Sequence, residues 1–247
     1  MRLNILYIVF FISLNANGQV ETYNKITFNN EQYSAFAVKL DSNTIDQFKR
    51  LSNPNQLPYF EFVSKQLKVD SNMYLINSSI VSDLIKCTTE GLLIDEFSVK
   101  KGLNNQNGNG NFYLKPNACL LINRHDANLT STDATLVDTS IRLAIQSGPM
   151  LINQSLICSS FNPNSVNRNM RSGVGVYTTQ TNQKYIVFAV SETPVSFFEL
   201  AEFFHYKFNC SSALSLESAN CAIYFPSYDF QSIQGKVICN YIGFKYN

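Results

Sequence analysis

The sequence is poor in charged residues, and its basic and acidic groups nearly cancel. Only 15% of the 247 residues are Asp, Glu, Lys or Arg, against about 25% in a typical soluble domain. Nineteen Lys and Arg against eighteen Asp and Glu leave a formal net charge of +1. Because no long basic run is present either, the composition argues against a surface for nucleic acid or for an anionic membrane. We therefore expect no nucleic-acid partner.

Histidine is also scarce, and this limits the chemistry available to the chain. His125 and His205 are the only two histidines and stand far apart in the sequence. The sequence contains no Cys-x-x-Cys motif and no Cys/His cluster, so neither a zinc centre nor a Ser-His catalytic dyad has support. No cluster of oxygen ligands calls for a cation. The sequence therefore predicts a protein without a metal or another cofactor.

Long hydrophobic runs are absent except at the N-terminus. A short positive start, Met1-Arg2, precedes an almost unbroken apolar run from Leu3 to Leu14, and the small residues Ala16 and Gly18 follow. This pattern predicts a signal peptide over residues 1–18, with one domain over residues 19–247. The alternative is an N-terminal membrane anchor, although the run is shorter than the ~20 residues of a spanning helix. We expect a periplasmic or extracellular protein with no stable membrane insertion after signal cleavage.

Six cysteines are an even number, and export allows them to pair. Six cysteines permit 15 pairings, among which the sequence does not choose. Cys119 and Cys239 lie in apolar, strand-like runs. For these two we expect buried thiols, because free cysteine behaves as a small hydrophobic residue.

Hydrophobic periodicity predicts an α+β fold: a single domain with a mixed, mostly antiparallel β-sheet and a few helices. Helical spacing covers residues 44–51, 59–67 and 132–139. A further helix over 196–205 begins with a capping box, in which Ser196 is the N-cap and Glu199 the third helical residue. The predicted strands cover residues 33–40, 73–76, 91–95, 112–123, 141–146, 150–152, 172–178, 185–190, 213–216, 222–225 and 236–241.

Three loops combine Gly, Pro and Asn with apolar strand ends. They cover residues 110–117, 144–151 and 161–176. Turns on a rigid scaffold commonly present polar groups in this way. Together with the segments 189–194 and 199–201, these loops resemble the phosphodiester glycosidase family, most closely its short, secreted bacterial branch. The resemblance covers roughly residues 33–241. It implies a ligand that is a carbohydrate or sugar phosphate, with a sugar 1-phosphodiester of the N-acetylglucosamine-phosphate type as the substrate.

The resemblance also indicates which cations contact the phosphate, for which a guanidinium fork is well suited. Arg171 matches the arginine that the family places before a Gly-Val-Gly turn, and Arg168 lies one turn-length earlier. Lys115 is a candidate for a second phosphate contact. For all three the alternative is an ordinary solvated side chain.

Three polar residues are candidates for sugar recognition. Asn77 aligns with the asparagine of the family's Asn-Ala-Gly-Met-Phe segment. Gln146 and Ser147 stand at the end of a predicted strand, before Gly148-Pro149, where they can hydrogen-bond sugar hydroxyls. Turn formation alone is the alternative for this pair.

Cleavage at an anomeric carbon usually needs carboxylates, one as the acid and one as the nucleophile or base. The resemblance leaves Glu217 and Glu192 as the catalytic candidates. Glu192 has a second explanation, since a negative charge before a helix stabilises the helix N-terminus.

The chain departs from the family pattern around Glu217. Where the bacterial branch has Asp-Gly followed by two serines, this sequence has Glu217, Ser218, Cys221 and Ala222. The longer side chain moves the carboxylate by about 1.5 Å, and a displacement of about 1 Å can reduce a rate about 100-fold. Two hypotheses follow: a hydrolase of sugar phosphodiesters, or a catalytically impaired relative that binds a glycan or phosphoglycan. A purely structural envelope protein is a third, weaker possibility.

Overall fold

The computed structural model describes residues 13–14, 19–78, 80–83, 85–217, 220–226 and 228–246. Apart from Ser13 and Leu14, the predicted signal peptide lies outside these ranges, as does Ser218, one of the departures from the family pattern. None of the helices within these ranges has the length and apolar character that a membrane crossing requires.

Of the described residues, 45% lie in strands and 14% in helices, so the fold is predominantly β. Within these residues the large sheet has eight strands: β1 Ser13–Leu14, β2 Val20–Phe28, β3 Glu31–Lys39, β13 Met150–Asn153, β14 Leu156–Ile157, β15 Ser172–Thr178, β16 Lys184–Ser191 and β17 Ser212–Ser215. Their order across the sheet is β1-β2-β3-β16-β15-β17-β13-β14.

The described residues also form two five-stranded sheets. The second sheet contains β8 Leu93–Asp95, β9 Ser98–Lys101, β10 Ala118–Asn123, β11 Ala127–Ser131 and β12 Ile141–Ser147, in the order β11-β10-β12-β8-β9. The third sheet contains β4 Phe48–Ser52, β5 Met73–Asn77, β18 Ala222–Phe225, β19 Tyr228–Gln231 and β20 Asn240–Lys245, in the order β19-β18-β5-β20-β4. A small hairpin is formed by β6 Val81–Asp83 and β7 Thr88–Thr89.

Two helices of the described part of the chain cover the sheets. Helix α1 spans Tyr59–Val69, and helix α2 spans Phe197–Glu202 and continues as a π-helical turn over Phe203–Lys207. The predicted capping box of α2 is confirmed: Glu199 N donates to Ser196 Oγ at 3.2 Å, and Ser196 N donates to Glu199 Oε2 at 2.7 Å. Short 3-10 turns occur at Ile45–Gln47, Asn111–Tyr113 and Thr132–Ala134.

The main core lies where the three sheets meet. It joins Phe36 and Phe188 of the large sheet, Ile145 of the second and Ile76 and Phe244 of the third. Successive residues of a strand point to opposite faces, so the neighbours of Phe36 reach the other face of the large sheet. There they pack with Phe203 and Phe204 of the π-helical turn. A third cluster packs α1 on the third sheet, with the Phe62 and Tyr241 rings stacked at 4.5 Å.

Several sequence-based expectations are corrected. Every strand pairing in the described ranges is antiparallel, so the expected mixed sheet is replaced by antiparallel sheets. Residues 44–51 form one 3-10 turn and then β4, because buried Phe48 packs on Phe188 and Phe244 in a ladder with β20. Residues 132–139 contain only a single 3-10 turn. The strand expected at 112–123 begins at Ala118, and the one expected at 236–241 begins at Asn240.

One of the two cysteine expectations is wrong. Cys119 is a free, buried thiol as expected, whereas Cys239 forms a disulfide with Cys87, 152 positions away in the sequence. Cys239 precedes β20 and Cys87 precedes β7, so the disulfide ties the β6–β7 hairpin to the third sheet.

Candidate functional site

A cavity of about 310 Å³ lies at one end of the third sheet. Its wall is formed by the end of β5, the residues after β17 and the segment that leads into β20. Aliphatic side chains alternate there with amides, a carboxylate and an ammonium group. The lining residues are Asn77, Ser78, Ile80, Val81, Glu217, Asn220, Lys236, Val237, Ile238, Cys239 and Asn240.

Two of the candidates from the sequence, Asn77 and Glu217, meet at this cavity. Asn77 is fully buried, and its Nδ2 donates to Ser172 Oγ at 2.8 Å and to the Glu217 carbonyl at 3.3 Å. Its Oδ1 accepts from Ala222 N at 3.0 Å. The amide therefore joins β5, β15 and β18, three strands that the chain order keeps well apart.

The backbone of Glu217 is fixed from several directions. Besides Asn77, the Ser172 hydroxyl and the Cys221 thiol donate to the Glu217 carbonyl, the thiol at a distance of 3.3 Å. Glu217 N donates to the Ser78 carbonyl at 3.1 Å. Burial raises the pKa of Cys221, so this residue stays a neutral thiol that can donate. The chain thus places the Glu217 side chain at the cavity from a well-anchored backbone.

Three side chains of the cavity wall carry a buried polar atom with no hydrogen-bond partner in the described structure: Ser78 Oγ, Asn220 Oδ1 and Asn240 Nδ2. Ser78 and Asn240 are 1% and 2% exposed. Polar atoms that the protein leaves without a partner at a cavity wall can hydrogen-bond to water or to a ligand in the cavity.

Arg171 lies in the protein interior rather than at the cavity. Its side chain is 1% exposed and its guanidinium stacks 3.6 Å above the Phe197 ring. Nε donates to the Val195 carbonyl at 2.8 Å and Nη2 to the Asn167 carbonyl at 3.2 Å, whereas Nη1 has no partner in the described structure. Burial lowers the pKa of Arg171 to about 10. The guanidinium thus anchors the loop before β15 to the start of α2.

The Gly-Val-Gly segment after Arg171 belongs to β15 and is packed tightly. A Cβ on Gly173 would stand 2.8 Å from the Phe204 ring, and one on Gly175 would stand 2.6 Å from Cys210 Sγ. Glycine is needed at both positions because the π-helical turn packs directly on the strand backbone.

Arg168 is engaged at the protein surface. Its guanidinium contacts Glu199 at 2.6 Å, pairs closely with Glu31, and donates to the Pro194 carbonyl. These partners belong to α2, β3 and the loop between β16 and α2. Arg168 does not line the cavity.

Both the oxygen and the nitrogen of the buried Gln146 side-chain amide form hydrogen bonds within or beside the second sheet. Oε1 accepts from Leu92 N and Asn104 N, each at 2.9 Å, and Nε2 donates to the Asn104 carbonyl at 2.7 Å and to Thr132 Oγ1 at 3.2 Å. The side chain thereby pins the loop after β9 to the sheet. Its role in substrate binding stays a prediction.

The other candidates are spread over the molecule. Ser147 is fully buried and its Oγ has no partner in the described structure. Lys115 is exposed, and its Nζ donates to Asn117 Oδ1 at 3.3 Å. Glu192 accepts hydrogen bonds from Ser34 and Tyr228. None of these three lines the cavity, and no structural observation tests their predicted roles.

Sequence reasoning missed several cavity residues. Lys236, Asn220 and Asn240 belong to no recognised motif, and Ser78 follows the candidate Asn77 without being a candidate itself. The sole local signal was the polarity of the turn before β20. Within the described ranges, no three His, Cys, Asp or Glu side chains lie close enough together to hold a metal ion.

The sequence and the fold correspond to a known family. Residues 68–217, more than half of the chain, match the phosphodiester glycosidase family, and the chain belongs to that family. Among individual relatives, the chain is 28% identical to the uncharacterized protein YigE of Escherichia coli over 134 residues. That match covers 54% of this chain and 51% of YigE, so the chain spans about half the length of this relative.

Solved structures support the fold. The chain is similar to the catalytic domain of zebrafish N-acetylglucosamine-1-phosphodiester alpha-N-acetylglucosaminidase, auto-inhibited by its pro-peptide. The TM-score is 0.62 at 15% identity, and the likeness covers 95% of this chain and 86% of that one. A hypothetical protein from Synechocystis gives a TM-score of 0.57 at 10% identity over 93% of this chain and 63% of its own.

Proposed function

We propose that this chain hydrolyses a sugar 1-phosphodiester of the N-acetylglucosamine-phosphate type, with Glu217 as the essential carboxylate. The observation that carries the proposal is the meeting of Asn77 and Glu217, 140 positions apart, at one cavity in a phosphodiester glycosidase fold. Both align with family positions, and the contacts of the Glu217 carbonyl and N–H hold its backbone in place at the cavity.

A single carboxylate is compatible with this reaction. Within the described residues, Glu217 is the only acidic side chain that lines the cavity, whereas two carboxylates are usual for glycosidases. The second carboxylate normally protonates the leaving group. A phosphate monoester leaves readily without that help, because its second pKa is about 6. Glu217 then accepts a proton from water, whose oxygen bonds to the anomeric carbon as the sugar–phosphate bond breaks and its electron pair moves to the phosphate.

The test is turnover of a sugar phosphodiester by purified protein, with released sugar measured by NMR. Substitution of a general base typically reduces the rate 10²–10⁴-fold, so Glu217→Gln should lose at least about 100-fold. The control is Glu61→Gln, since Glu61 lies on α1, does not line the cavity and pairs with Lys65 at the surface. Turnover that survives Glu217→Gln would refute the assignment.

A second candidate is a glycan or phosphoglycan binding protein with impaired catalysis. It is favoured by the glutamate at position 217 and by the interior position of Arg171. Glu217→Asp separates the two candidates, because aspartate restores the family residue and withdraws the carboxylate by one carbon. Binding without turnover in the natural chain, and turnover gained in Glu217→Asp, would establish the binding protein.

We also propose export to the periplasm or the extracellular space, on the basis of the N-terminal pattern. N-terminal sequencing of protein recovered outside the cytoplasm should begin at Gln19. Recovery in the cytoplasm with the first 18 residues intact would contradict export.

A further inference from the structure

The cavity has a cationic side chain that no motif indicated. Lys236 is exposed and lines the wall together with Glu217. Within the described residues it is the only Lys or Arg that does so. Any anionic group that enters the cavity therefore meets Lys236 as its nearest wall cation.

The Lys236 ammonium is available for a ligand. No carboxylate, carbonyl or hydroxyl of the described structure lies within hydrogen-bond distance of its Nζ. Arg168, in contrast, is committed to two carboxylates, and Arg171 to two backbone carbonyls and an aromatic ring. A phosphate would have to displace those partners in order to reach either arginine.

The backbone that carries Lys236 is held in position. Gln231 Nε2 donates to the Lys236 carbonyl at 2.8 Å, and Asn220 Nδ2 donates to the Val237 carbonyl at 3.0 Å. The Cys87–Cys239 disulfide fixes the same segment three residues further on. Such support reduces the ordering cost when a ligand binds.

We propose that Lys236 is the residue that contacts the phosphate of the ligand, on the wall of the cavity that also holds Glu217. The assignment rests on the proposed function. It moves phosphate recognition from Arg168 and Arg171 to the turn before β20. A lysine acts as a flexible point charge rather than a bidentate fork, and it is an established phosphate-binding side chain.

The experiment measures the affinity of N-acetylglucosamine 1-phosphate and of phosphate-free N-acetylglucosamine by isothermal titration calorimetry. It uses the natural chain, Lys236→Gln, Lys236→Arg and Lys100→Gln. Lys100 is likewise an exposed lysine, on β9, and does not line the cavity, so its variant controls for net charge. Circular dichroism of each variant checks the fold.

Hydrogen bonds to charged groups are worth about 1.5–3 kcal/mol, which corresponds to a factor of about ten or more in affinity. Lys236→Gln should therefore weaken binding of the sugar phosphate about tenfold, with the phosphate-free sugar unaffected. Lys236→Arg should retain most of the affinity, and Lys100→Gln all of it. High salt should lower the affinity for the sugar phosphate more in the natural chain than in Lys236→Gln.

Two outcomes overturn the inference, and only one of them also overturns the proposed function. Equal affinity of the natural chain and Lys236→Gln for the sugar phosphate removes Lys236 from phosphate recognition and leaves the proposed function intact. Binding of neither the sugar nor the sugar phosphate by the natural chain removes the proposed function, and the inference with it.

Discussion

Replacement of Arg171 tests whether this arginine serves the fold or the ligand. In the folded chain its guanidinium makes two hydrogen bonds to carbonyls and stacks on Phe197. Hydrogen bonds from a charged donor contribute about 1.5–3 kcal/mol each, and a desolvated cation–π contact contributes about 2 kcal/mol. The cost of burying the charge, which also lowers the pKa of Arg171 to about 10, offsets part of this sum. We expect Arg171→Ala to lose about 3 kcal/mol of unfolding free energy.

The matched control is Arg168→Ala. The Arg168 side chain is 37% exposed and forms two surface ion pairs, which are worth about 0.2–1 kcal/mol each. We therefore expect a loss of about 1 kcal/mol. Arg171→Met should fall between the two, because methionine keeps the packing on Phe197 but not the hydrogen bonds.

The assay is urea denaturation at 25 °C, followed by circular dichroism, with the m-value checked for constancy. A result within about 0.5 kcal/mol of the natural chain for Arg171→Ala, the usual range for surface substitutions, combined with lost sugar-phosphate affinity, would refute the reasoning. It would show that Arg171 leaves its interior contacts in order to bind the ligand.

Three further predictions concern the disulfide, the free thiols and Gln146. Replacement of Cys87 and Cys239 by serine opens a loop of 152 positions and should cost about 2–5 kcal/mol; an unchanged melting temperature would contradict this. Iodoacetamide at pH 8 should modify the half-buried Cys158 well before Cys119, because burial shields the Cys119 thiol and raises its pKa to about 11. Peptide mass spectrometry measures the order of labelling, and faster labelling of Cys119 would contradict the prediction. Gln146→Ala removes the hydrogen-bond partner of three backbone groups. It should lower the unfolding free energy by about 1–3 kcal/mol and speed proteolysis of the loop after β9. An unchanged cleavage rate would contradict the proposal that Gln146 holds this loop on the sheet.

Local signals in the sequence predicted the elements that depend on local contacts. The capping box of α2 joins residues three positions apart, and it was predicted correctly. The helix expected at 44–51 failed because the decisive contacts of Phe48 are made by Phe188 and Phe244, about 140 and 200 positions away. The Cys87–Cys239 pairing was unpredictable for the same reason.

In the candidate site, too, the features that depend on long-range contacts could not be predicted from local sequence patterns. Asn77 and Glu217 were each named from the family resemblance, but their proximity was not predicted and is a finding of the structure. The interior position of Arg171 was not predicted either, because its burial depends on Val195 and Phe197 of a segment more than twenty residues later. Lys236 was overlooked because a single lysine in a polar turn ordinarily indicates a solvated surface.

The departures around Glu217 differ in their structural consequences. The hydroxyl of a family serine is replaced at Cys221 by a thiol that still donates to the Glu217 carbonyl, alongside Asn77 and Ser172. A thiol is a weaker donor than a hydroxyl, but two stronger donors to the same carbonyl remain. The backbone that presents residue 217 therefore tolerates this change. The exchange of aspartate for glutamate is different, since it alters the reach of the carboxylate itself. Any loss of catalysis in this chain is thus expected to trace to the side chain at position 217, and not to the substitution at 221.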